Sequence, residues 1–532
     1  MPKNSTTYQE MDWSVEAAAL PARDLHYNDD DAVLRRLGKQ PRLNRTFGFM
    51  SILGFSCSSL CSWESILLTS VPGLVIGGPA GLTWAVVVNW IGITSVYAVL
   101  GELASIAPTS GGQYHWVDML APKRWSNFLS YLTAWLTTLA WQAVSATVSY
   151  LNATLLQGII AVAPSSTYVP RNWHTVLLMW AFSVFAAAMN SISGRALARL
   201  EGVILVLHLA GFFGVLIPLV YFAPKNDASF VFLTFLNEGA WPTQTLAFFV
   251  AFPTVATALL GADCAVHLSE EIQHAANVVP QALLYAIFIN GSLSFAIAIA
   301  LLFCIQDLDA ALASIETVFY PCLQIFQAST ESAVGACLLG GIVLVLCVVG
   351  GIGISAAASR MLWSFSRDKG LPFSRYLVKL TKNSLPINAI YTTFAITMVL
   401  SLIVLASSIA LQALLSLLVA ALFSSYILPC SLLLWRRLTG KLQAHKAGQV
   451  MEDDGLCWGP WKLPEPLGIA NNIFACLYAI VTLFWSFWPQ TVLPTPQTAN
   501  WSVLVFSVVV LFSVGWYIVR AGRNFKGPIK EI

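Results

Sequence analysis

The sequence contains few charged residues. Asp, Glu, Lys and Arg make up 10% of its 532 residues, and the formal net charge is only +2. A soluble globular domain usually carries about 25% charged residues, so the composition excludes an ordinary soluble protein. The small net charge gives no indication of nucleic-acid binding or of a basic peripheral membrane anchor.

Motifs of nucleotide and metal chemistry are also missing. The sequence has no Gly-x-x-x-x-Gly-Lys-Ser/Thr phosphate loop and no His-Glu-x-x-His zinc motif. The ten cysteines show no paired metal spacing, and most lie in apolar segments as small packing residues. We therefore expect no cofactor, no metal site and no enzymatic activity. Cys304 and Cys322 flank one predicted outer loop, and their pairing is left open.

Apolar residues are abundant instead. Hydrophobic residues make up 57% of the chain, and the mean hydropathy is +0.71. A helix needs about 20 apolar residues to cross a bilayer. Apolar segments between charge clusters predict twelve spans, numbered here in chain order: 47–75, 80–105, 126–151, 173–192, 200–222, 245–267, 281–304, 333–360, 386–407, 409–433, 468–488 and 500–520. The predicted fold class is an all-α polytopic membrane protein.

The basic residues indicate how these spans are oriented. With the N-terminus in the cytosol, all of the 28 Lys and Arg except Arg171 and Lys225 fall in the tails or inner loops. Cytoplasmic loops carry such an excess of Lys and Arg. We predict that both termini are cytosolic, as a flexible tail at 1–46 and a short tail at 521–532, with a twelve-span domain at 47–520 between them.

Two spans contain residues that interrupt helices. Span 1 contains "SSLCSWESILLTSVPG", and span 6 contains "FPTVATALLGADC". Interrupted helices at corresponding positions in two halves are typical of inverted-repeat transporters. Spans 1–5 (about 47–222) and spans 6–10 (about 245–433) would then form the two repeats, with two extra helices at about 468–520.

Each interrupted span also contains an acidic residue. Glu64 is the only Asp, Glu, Lys, Arg or His between Arg45 and Glu102. A carboxylate in hydrocarbon costs about 3 kcal/mol on insertion scales, so we interpret Glu64 as a substrate or coupling residue. The alternative is a structural carboxylate bonded to nearby hydroxyls. Asp263 in span 6 has the same two interpretations, because it could equally tie span 6 to a neighbouring element or to a gate.

Further candidates lie beside these carboxylates. Trp63 offers an aromatic face to an ammonium group. His208 in span 5 suits proton coupling because histidine titrates near neutral pH, although a packed, neutral histidine is the alternative. The predicted substrate-binding residues are Ser62, Trp63, Glu64, Ser65, Thr257, Ala258, Leu260, Gly261 and Ser355. The predicted coupling or gating residues are Glu64, Asp263 and His208.

Charged residues also gather at the inner end of span 8, namely Arg360, Arg367, Asp368 and Lys369. We expect them to anchor this end in the cytosol and to form an ion-pair network with Glu270 and Glu271. We expect Glu102 to brace the inner loop that carries Gly111 and Gly112.

Five stretches resemble the amino acid–polyamine–organocation superfamily of permeases, and within it the fungal amino acid/choline transporter family. "CSWESILLTSVPGLVIGGPAGL" resembles the first span and its turn, and "GELASIAPTSGGQYHWV" resembles the loop between spans 2 and 3. "LLGADCAVHLSEEIQHAANVVPQAL" resembles span 6 and its exit. "SAAASRMLWSFSRDKGLPFS" resembles the end of span 8, and "AIYTTFAITMVLS" is a looser match to span 9. The resemblance extends from about residue 47 to about residue 435.

This resemblance implies two inverted five-helix repeats plus two extra helices, and transport of a small nitrogenous solute. Anchored on the Gly77–Pro79 turn, it puts Glu64 at the unwound centre of span 1, where many amino acid permeases have a small residue. That departure favours a substrate whose cationic group approaches span 1, or a protonated Glu64. We therefore expect a secondary active plasma-membrane permease, by proton symport, for an amino acid, GABA or a choline-like amine. The alternative is a nutrient-sensing transceptor with the same fold.

Overall fold

A computed structural model describes residues 28–192, 194–406, 410–440, 442–443, 456–495 and 499–530. In these ranges, eleven helices are long and apolar enough to cross a membrane, and a shorter apolar helix lies at Gln244–Leu259. The prediction of an all-α polytopic membrane protein is confirmed. The predicted tail at 1–46 is described only from residue 28, and the domain boundaries stay predictions.

The spans correspond to the following helices. Spans 1–6 are Phe49–Leu60 with Ser62–Thr69, Val71–Ile106, Ser126–Val162, Asn172–Asn190, Gly194–Phe222, and Gln244–Ala256 with Thr257–Leu259 and Cys264–His267. Spans 7–12 are Ala275–Phe303, Ala333–Arg367, Ile387–Ser401 with Ile403–Ala406, Ala410–Leu438, Glu465–Ser486, and Ser502–Trp516 with Tyr517–Ala521 and Gly522–Asn524. Short helices in the connections are Asn28–Arg36, Gln113–Leu120, Ala228–Leu233, Leu308–Ala313, Ile315–Val318, Pro321–Thr330 and Ser374–Leu377. Two short parallel strands pair Leu442–Gln443 with Leu456–Cys457.

The helix Val71–Ile106 is two helices joined at a kink. Gly78 has φ 74° there, a conformation that glycine adopts without a steric penalty. A Cβ at this position would also lie 2.5 Å from the backbone nitrogen of Leu236. The chain before Gly78 therefore continues span 1, and span 2 begins at Pro79.

Span 3 is longer than predicted, because it ends at Val162 rather than at 151. The prediction stopped where polar residues begin. Those residues have partners inside the protein: Thr154 Oγ1 lies 2.6 Å from Tyr320 Oη, and Gln157 Nε2 donates to Thr175 Oγ1 at 2.8 Å. A helix tolerates polar side chains in an apolar environment when they are bonded in this way.

Span 1 lies at the centre of the bundle and span 12 at its edge. Within an 18-residue window, 94% of the span 1 residues are buried, compared with 11% for span 12. Span 1 contacts spans 5, 7 and 8. The polar residues of span 1 are therefore shielded from lipid by other helices.

Segments near both ends of the described chain meet at one end of the bundle, at the carboxylate of Asp368. Its Oδ1 accepts hydrogen bonds from Lys39 Nζ at 2.6 Å and from the Ile529 backbone nitrogen at 2.9 Å, and its Oδ2 accepts one from Tyr114 Oη at 2.7 Å. We call this end of the molecule, where Lys39, Asp368 and Ile529 meet, the inner end.

The predicted ion-pair network at the inner end is confirmed. Arg360 pairs with Glu271 at 3.1 Å, and Arg367 pairs with Glu270 at 2.7 Å. Burial alone would raise the pKa of Glu270, but the Arg367 guanidinium outweighs it and lowers that pKa to about 2. Glu270 Oε1 also accepts a hydrogen bond from the Ser110 backbone nitrogen at 3.2 Å. The network thus holds the exit of span 6 against span 8 and the span 2–3 loop.

The expectation for Glu102 was wrong. Its carboxylate pairs with Arg437 of span 10 at 2.5 Å and accepts a hydrogen bond from the Leu463 backbone nitrogen at 2.9 Å. It therefore braces the loop before span 11, not the loop that carries Gly111 and Gly112. A buried carboxylate needs a cationic partner. Arg437 is distant in sequence but lies against span 2, so it supplies this partner to Glu102.

The question of a disulfide between Cys304 and Cys322 is also answered. Cys304 and Cys322 are both free, buried thiols. The Cys304 sulfur faces the Leu219 carbonyl at 3.5 Å, so it packs against span 5. Both cysteines act as small packing residues.

Candidate functional site

Span 1 breaks at Cys61, three residues before Glu64. Cys61 has φ 43° and ψ 44°, between the helices Phe49–Leu60 and Ser62–Thr69. The expectation that Glu64 lies at the unwound centre was therefore wrong, because Glu64 lies in the first turn of the second helix. A negative charge is stabilised there by the unpaired N–H groups at a helix N-terminus.

Glu64 and His208 form a buried pair between spans 1 and 5. Glu64 Oε1 lies 2.8 Å from His208 Nδ1, and the side chains are 0% and 1% exposed. One proton lies between these two atoms. Glu64 Oε2 and His208 Nε2 have no hydrogen-bond partner among the described residues. The pair therefore keeps one free acceptor on the carboxylate and one free nitrogen on the imidazole.

Trp63 packs beside this pair. Its ring centroid lies 6.0 Å from the His208 ring and 5.8 Å from the Phe212 ring, both on span 5. The side chain is fully buried. Trp63 thus forms an aromatic wall next to the Glu64–His208 pair.

The two serines that flank Trp63 and Glu64 have local bonds. Ser62 Oγ donates to Asn290 Oδ1 of span 7 at 2.6 Å. The Ser65 backbone nitrogen donates to the Cys61 carbonyl at 2.7 Å, and the Ser65 side chain is half-buried. Ser62 therefore fixes the break of span 1 against span 7.

Span 6 breaks where its sequence predicted, between Leu260 and Asp263. Thr257 and Ala258 lie in a tight 3-10 turn that contacts the second helix of span 1. Leu260 is extended, and Gly261 has φ 126°. A Cβ on Gly261 would lie 3.5 Å from the Ser59 carbonyl oxygen. The two breaks are therefore neighbours in space.

Tyr97 of span 2 bonds the break of span 6. Its hydroxyl accepts hydrogen bonds from the backbone nitrogens of Gly261 and Ala262, at 2.9 Å and 3.2 Å, and donates to the Leu259 carbonyl at 3.2 Å. The sequence analysis missed Tyr97, because nothing in the sequence separates it from the other aromatic residues of the spans.

Asp263 joins span 6 to the connection between spans 2 and 3. Its Oδ2 accepts a hydrogen bond from Gln113 Nε2 at 2.9 Å, while Oδ1 has no partner among the described residues. Asp263 is fully buried. This contact matches the interpretation in which Asp263 ties span 6 to a neighbouring element.

Glu201 is a second buried carboxylate that faces span 1, and the sequence analysis missed it. Its Oε2 accepts a hydrogen bond from Ser58 Oγ at 2.7 Å, and its Oε1 has no partner among the described residues. Glu201 and His208 are seven residues apart, so they share one face of span 5. That spacing was available in the sequence and could have paired the two residues.

Ser355 lies apart from the two breaks. It lines a cavity between spans 3, 4, 8 and 9, whose other polar lining residues include Ser145, Ser149, Asn152, Ser183 and Thr397. The opposite face of span 8 meets span 1, since a Cβ on Gly350 would lie 2.1 Å from Cys61 Sγ. The structure therefore does not bring Ser355 together with Glu64.

The family model for amino acid permeases matches residues 47–510. The chain belongs to the amino acid permease family. The match includes both broken helices and the Glu64–His208 pair. The permease is thus an integral, multi-pass membrane protein.

Several curated relatives match the permease along most of their length. An uncharacterised amino-acid permease of Schizosaccharomyces pombe is 30% identical over 94% of this chain and 90% of its own length. The choline transporter of Saccharomyces cerevisiae is 28% identical over 91% and 83%. Amino-acid permease 2 of Neurospora crassa is 26% identical over 97% and 92%. The relatives therefore include proteins named for amino acids and one named for an amine.

Proposed function

We propose that the protein is a secondary active permease for a small nitrogenous solute, an amino acid, GABA or a choline-like amine, which it carries by proton symport. The observation that carries this proposal is the buried Glu64–His208 pair at the break of span 1, with one carboxylate oxygen left free. An ammonium group beside a carboxylate in a poorly solvated site gains several kcal/mol, which offsets the cost of burying both.

The charges around the breaks support a solute that carries an ammonium group. Glu64, Glu201 and Asp263 each have a carboxylate oxygen without a partner among the described residues. Buried carboxylates are costly in a membrane unless a cation or a proton compensates them. A bound ammonium group and a coupled proton together would neutralise two of these three groups.

Proton coupling is supported by the chemistry of the Glu64–His208 pair. A histidine beside a carboxylate can take up a proton and leave the pair without net charge. A neutral pair crosses the apolar interior at a lower cost than a charged one. Histidine also exchanges protons near neutral pH. We propose that Glu64 and His208 carry the coupling proton, and that Asp263 takes part in closing the inner side.

The broken helices support a specific architecture for the permease. We propose twelve spans, with two inverted five-helix repeats in spans 1–5 and 6–10 and two extra helices. The substrate would bind where the breaks meet, next to Ser62, Trp63, Glu64, Ser65, Thr257, Ala258, Leu260 and Gly261. We further propose that the inner end faces the cytosol and that the permease resides in the plasma membrane.

Competition uptake tests the function. Proteoliposomes that contain the purified permease are given labelled amino acids, GABA, choline and polyamines in turn, each with the other compounds as unlabelled competitors, and with a proton gradient imposed. We expect accumulation of at least one of these compounds, abolished by an uncoupler and unaffected by replacement of sodium. Binding without accumulation would favour the transceptor. Accumulation that survives the uncoupler but requires sodium would reject proton symport.

Reporters in two loops test the orientation. The segment 436–467 carries five of the basic residues, whereas 305–332 carries no Lys or Arg. We expect a reporter in 436–467 to be protected from outside reagents and one in 305–332 to be accessible. Finding both on the same face would contradict the span count.

A further inference from the structure

The break of span 6 frees backbone groups in the middle of the bundle. Leu260 is extended and Gly261 has φ 126°, so the amides of Gly261 and Ala262 leave the helical pattern. In broken-helix transporters, free amides of this kind receive anionic groups of the substrate. Two N–H groups that converge on one point form a suitable site for a carboxylate oxygen.

In this permease, that point is already occupied. The Tyr97 hydroxyl oxygen accepts both hydrogen bonds, at 2.9 Å from Gly261 N and 3.2 Å from Ala262 N, and its proton is directed to the Leu259 carbonyl at 3.2 Å. Tyr97, Leu259 and Ala262 are 0% exposed. The phenol oxygen therefore lies where a carboxylate oxygen of a substrate would bind.

The charges near the breaks also disfavour a substrate carboxylate. Glu64, Glu201 and Asp263 each have an unpartnered oxygen, which can accept from a donor such as an ammonium group and offers nothing to a second carboxylate. Three arginines of spans 8 and 10 are engaged with carboxylates, in the pairs Arg360–Glu271, Arg367–Glu270 and Arg437–Glu102. The fourth, Arg436, donates to the backbone carbonyl of Leu120. A carboxylate at the break of span 6 would meet only backbone amides, and Tyr97 has taken these. At the break of span 1, the first turn of the helix Ser62–Thr69 already contains the negative charge of Glu64.

We propose that the Tyr97 hydroxyl determines specificity: it fills the amide site of span 6 and restricts the permease to organic cations that lack a carboxylate. This inference rests on the proposed transport function. It narrows the substrate class to compounds such as choline and simple amines, whose ammonium group approaches Glu64, and it excludes zwitterions such as GABA and glycine betaine.

The test compares two ligands that differ in the carboxylate alone. Choline and glycine betaine share a trimethylammonium group, but choline ends in a hydroxymethyl group and glycine betaine in a carboxylate. In competition uptake by the wild-type permease, we expect choline to compete at least tenfold more strongly, which corresponds to about 1.4 kcal/mol. Butylamine should exceed GABA in the same way.

Tyr97→Phe keeps the ring and removes the hydroxyl, so both amides become free. We expect glycine betaine to compete about tenfold more strongly in this variant, while choline stays within about threefold of the wild-type value. Tyr320→Phe is the matched control, since Tyr320 is also buried and its hydroxyl bonds Thr154 of span 3 rather than the break of span 6. The ratio of choline to betaine should not change in the control.

Several results would overturn the inference. Wild-type permease that takes up glycine betaine or GABA as well as the matched amine would contradict it while leaving the transport function intact. Equal weakening of both ligands by Tyr97→Phe would show that Tyr97 only holds the helix in place. If this variant does not reach the membrane, competition in the wild-type permease decides. Choline that competes less than about twofold more strongly than glycine betaine overturns the inference. Absence of uptake of any amine or amino acid would instead contradict the proposed transport function.

Discussion

Spans 1 and 6 are both interrupted near the centre of the bundle, but the groups that surround the two breaks differ. At span 1, the polar groups are side chains that titrate, since Glu64 and His208 share one hydrogen bond and each keeps a free atom. At span 6, the freed backbone amides are bonded to the neutral phenol of Tyr97. The break of span 1 therefore presents a hydrogen-bonded pair of ionisable side chains, whereas the backbone amides freed at the break of span 6 are already bonded to a neighbouring side chain.

The two breaks also differ in how the backbone makes the turn. Cys61 turns span 1 in the left-handed region at φ 43°, whereas Gly261 turns span 6 at φ 126°. A non-glycine residue in the left-handed region is strained by about 1–2 kcal/mol. The Cys61 thiol recovers part of this cost through its contact with the Ser58 carbonyl at 2.8 Å.

The largest expected effect is that of Glu64→Gln. This change keeps the size of the side chain and removes its charge, so the apparent affinity for an ammonium-bearing substrate should fall tenfold or more, about 1.4 kcal/mol. If Glu64 carries the proton as well, accumulation should also lose its dependence on pH. Uptake by the purified variant measures both. Glu316→Gln, at an exposed position between spans 7 and 8, is the control. Unchanged affinity and an unchanged pH profile for Glu64→Gln would leave only a structural role for Glu64.

The next effect is that of His208→Gln on the pH profile. Wild-type accumulation should increase as the external pH falls, because a symported proton becomes more available. The glutamine can still donate to Glu64 but cannot take up a proton, so the profile should become flat and accumulation should fall several-fold. Uptake between about pH 5 and 8 measures this. His174→Gln, near the N-terminus of span 4, should keep the wild-type profile. If uptake by His208→Gln still depends on pH, His208 does not carry the coupling proton.

A smaller effect, on the stability of the permease, is expected from substitutions at the two turns. Gly261→Ala should lower the stability of the permease by about 1–3 kcal/mol, because alanine is strained at this φ. This loss comes from backbone strain and not from a steric clash, since the added Cβ would lie 3.5 Å from the Ser59 carbonyl oxygen, an ordinary contact distance. Cys61→Gly should change stability by less than about 1 kcal/mol. Glycine relieves the backbone strain, and this gain offsets the loss of the thiol contact and the greater conformational freedom of glycine in the unfolded chain. Thermal unfolding in detergent compares the two, and equal losses would mean that the turns are equivalent.

The smallest effect is expected for Ser355→Ala. Ser355 lines the cavity between spans 3, 4, 8 and 9, on a different face of span 8 from the one that meets span 1. Substrate affinity should therefore stay within about twofold of the wild-type value. A loss of substrate affinity as large as that expected for Glu64→Gln would show that the substrate site extends beyond the two breaks and includes Ser355, as the sequence predicted.

The sequence predicted features that depend on local composition. Apolar length predicted the spans, Gly and Pro with small polar residues predicted the interruptions, and the isolation of Glu64 marked a buried carboxylate. The exact break at Cys61 was missed, because a left-handed cysteine has no local signature and the preceding serines and glycines remain helical. Glu201 was overlooked at the start of its span, although its spacing from His208 placed both residues on one helix face.

By itself, the sequence determined that this protein is an all-α chain that crosses the membrane many times, with two broken helices and a lone carboxylate in one of them. Hydropathy and helix-breaking residues act locally, so a linear pattern contains this information. Only the tertiary structure decided that His208 meets Glu64 across 144 positions, that Tyr97 bonds the break of span 6, and that Ser355 faces elsewhere. These outcomes depend on the rotation of each helix about its axis and on which helices become neighbours, and both are set by packing over the whole bundle.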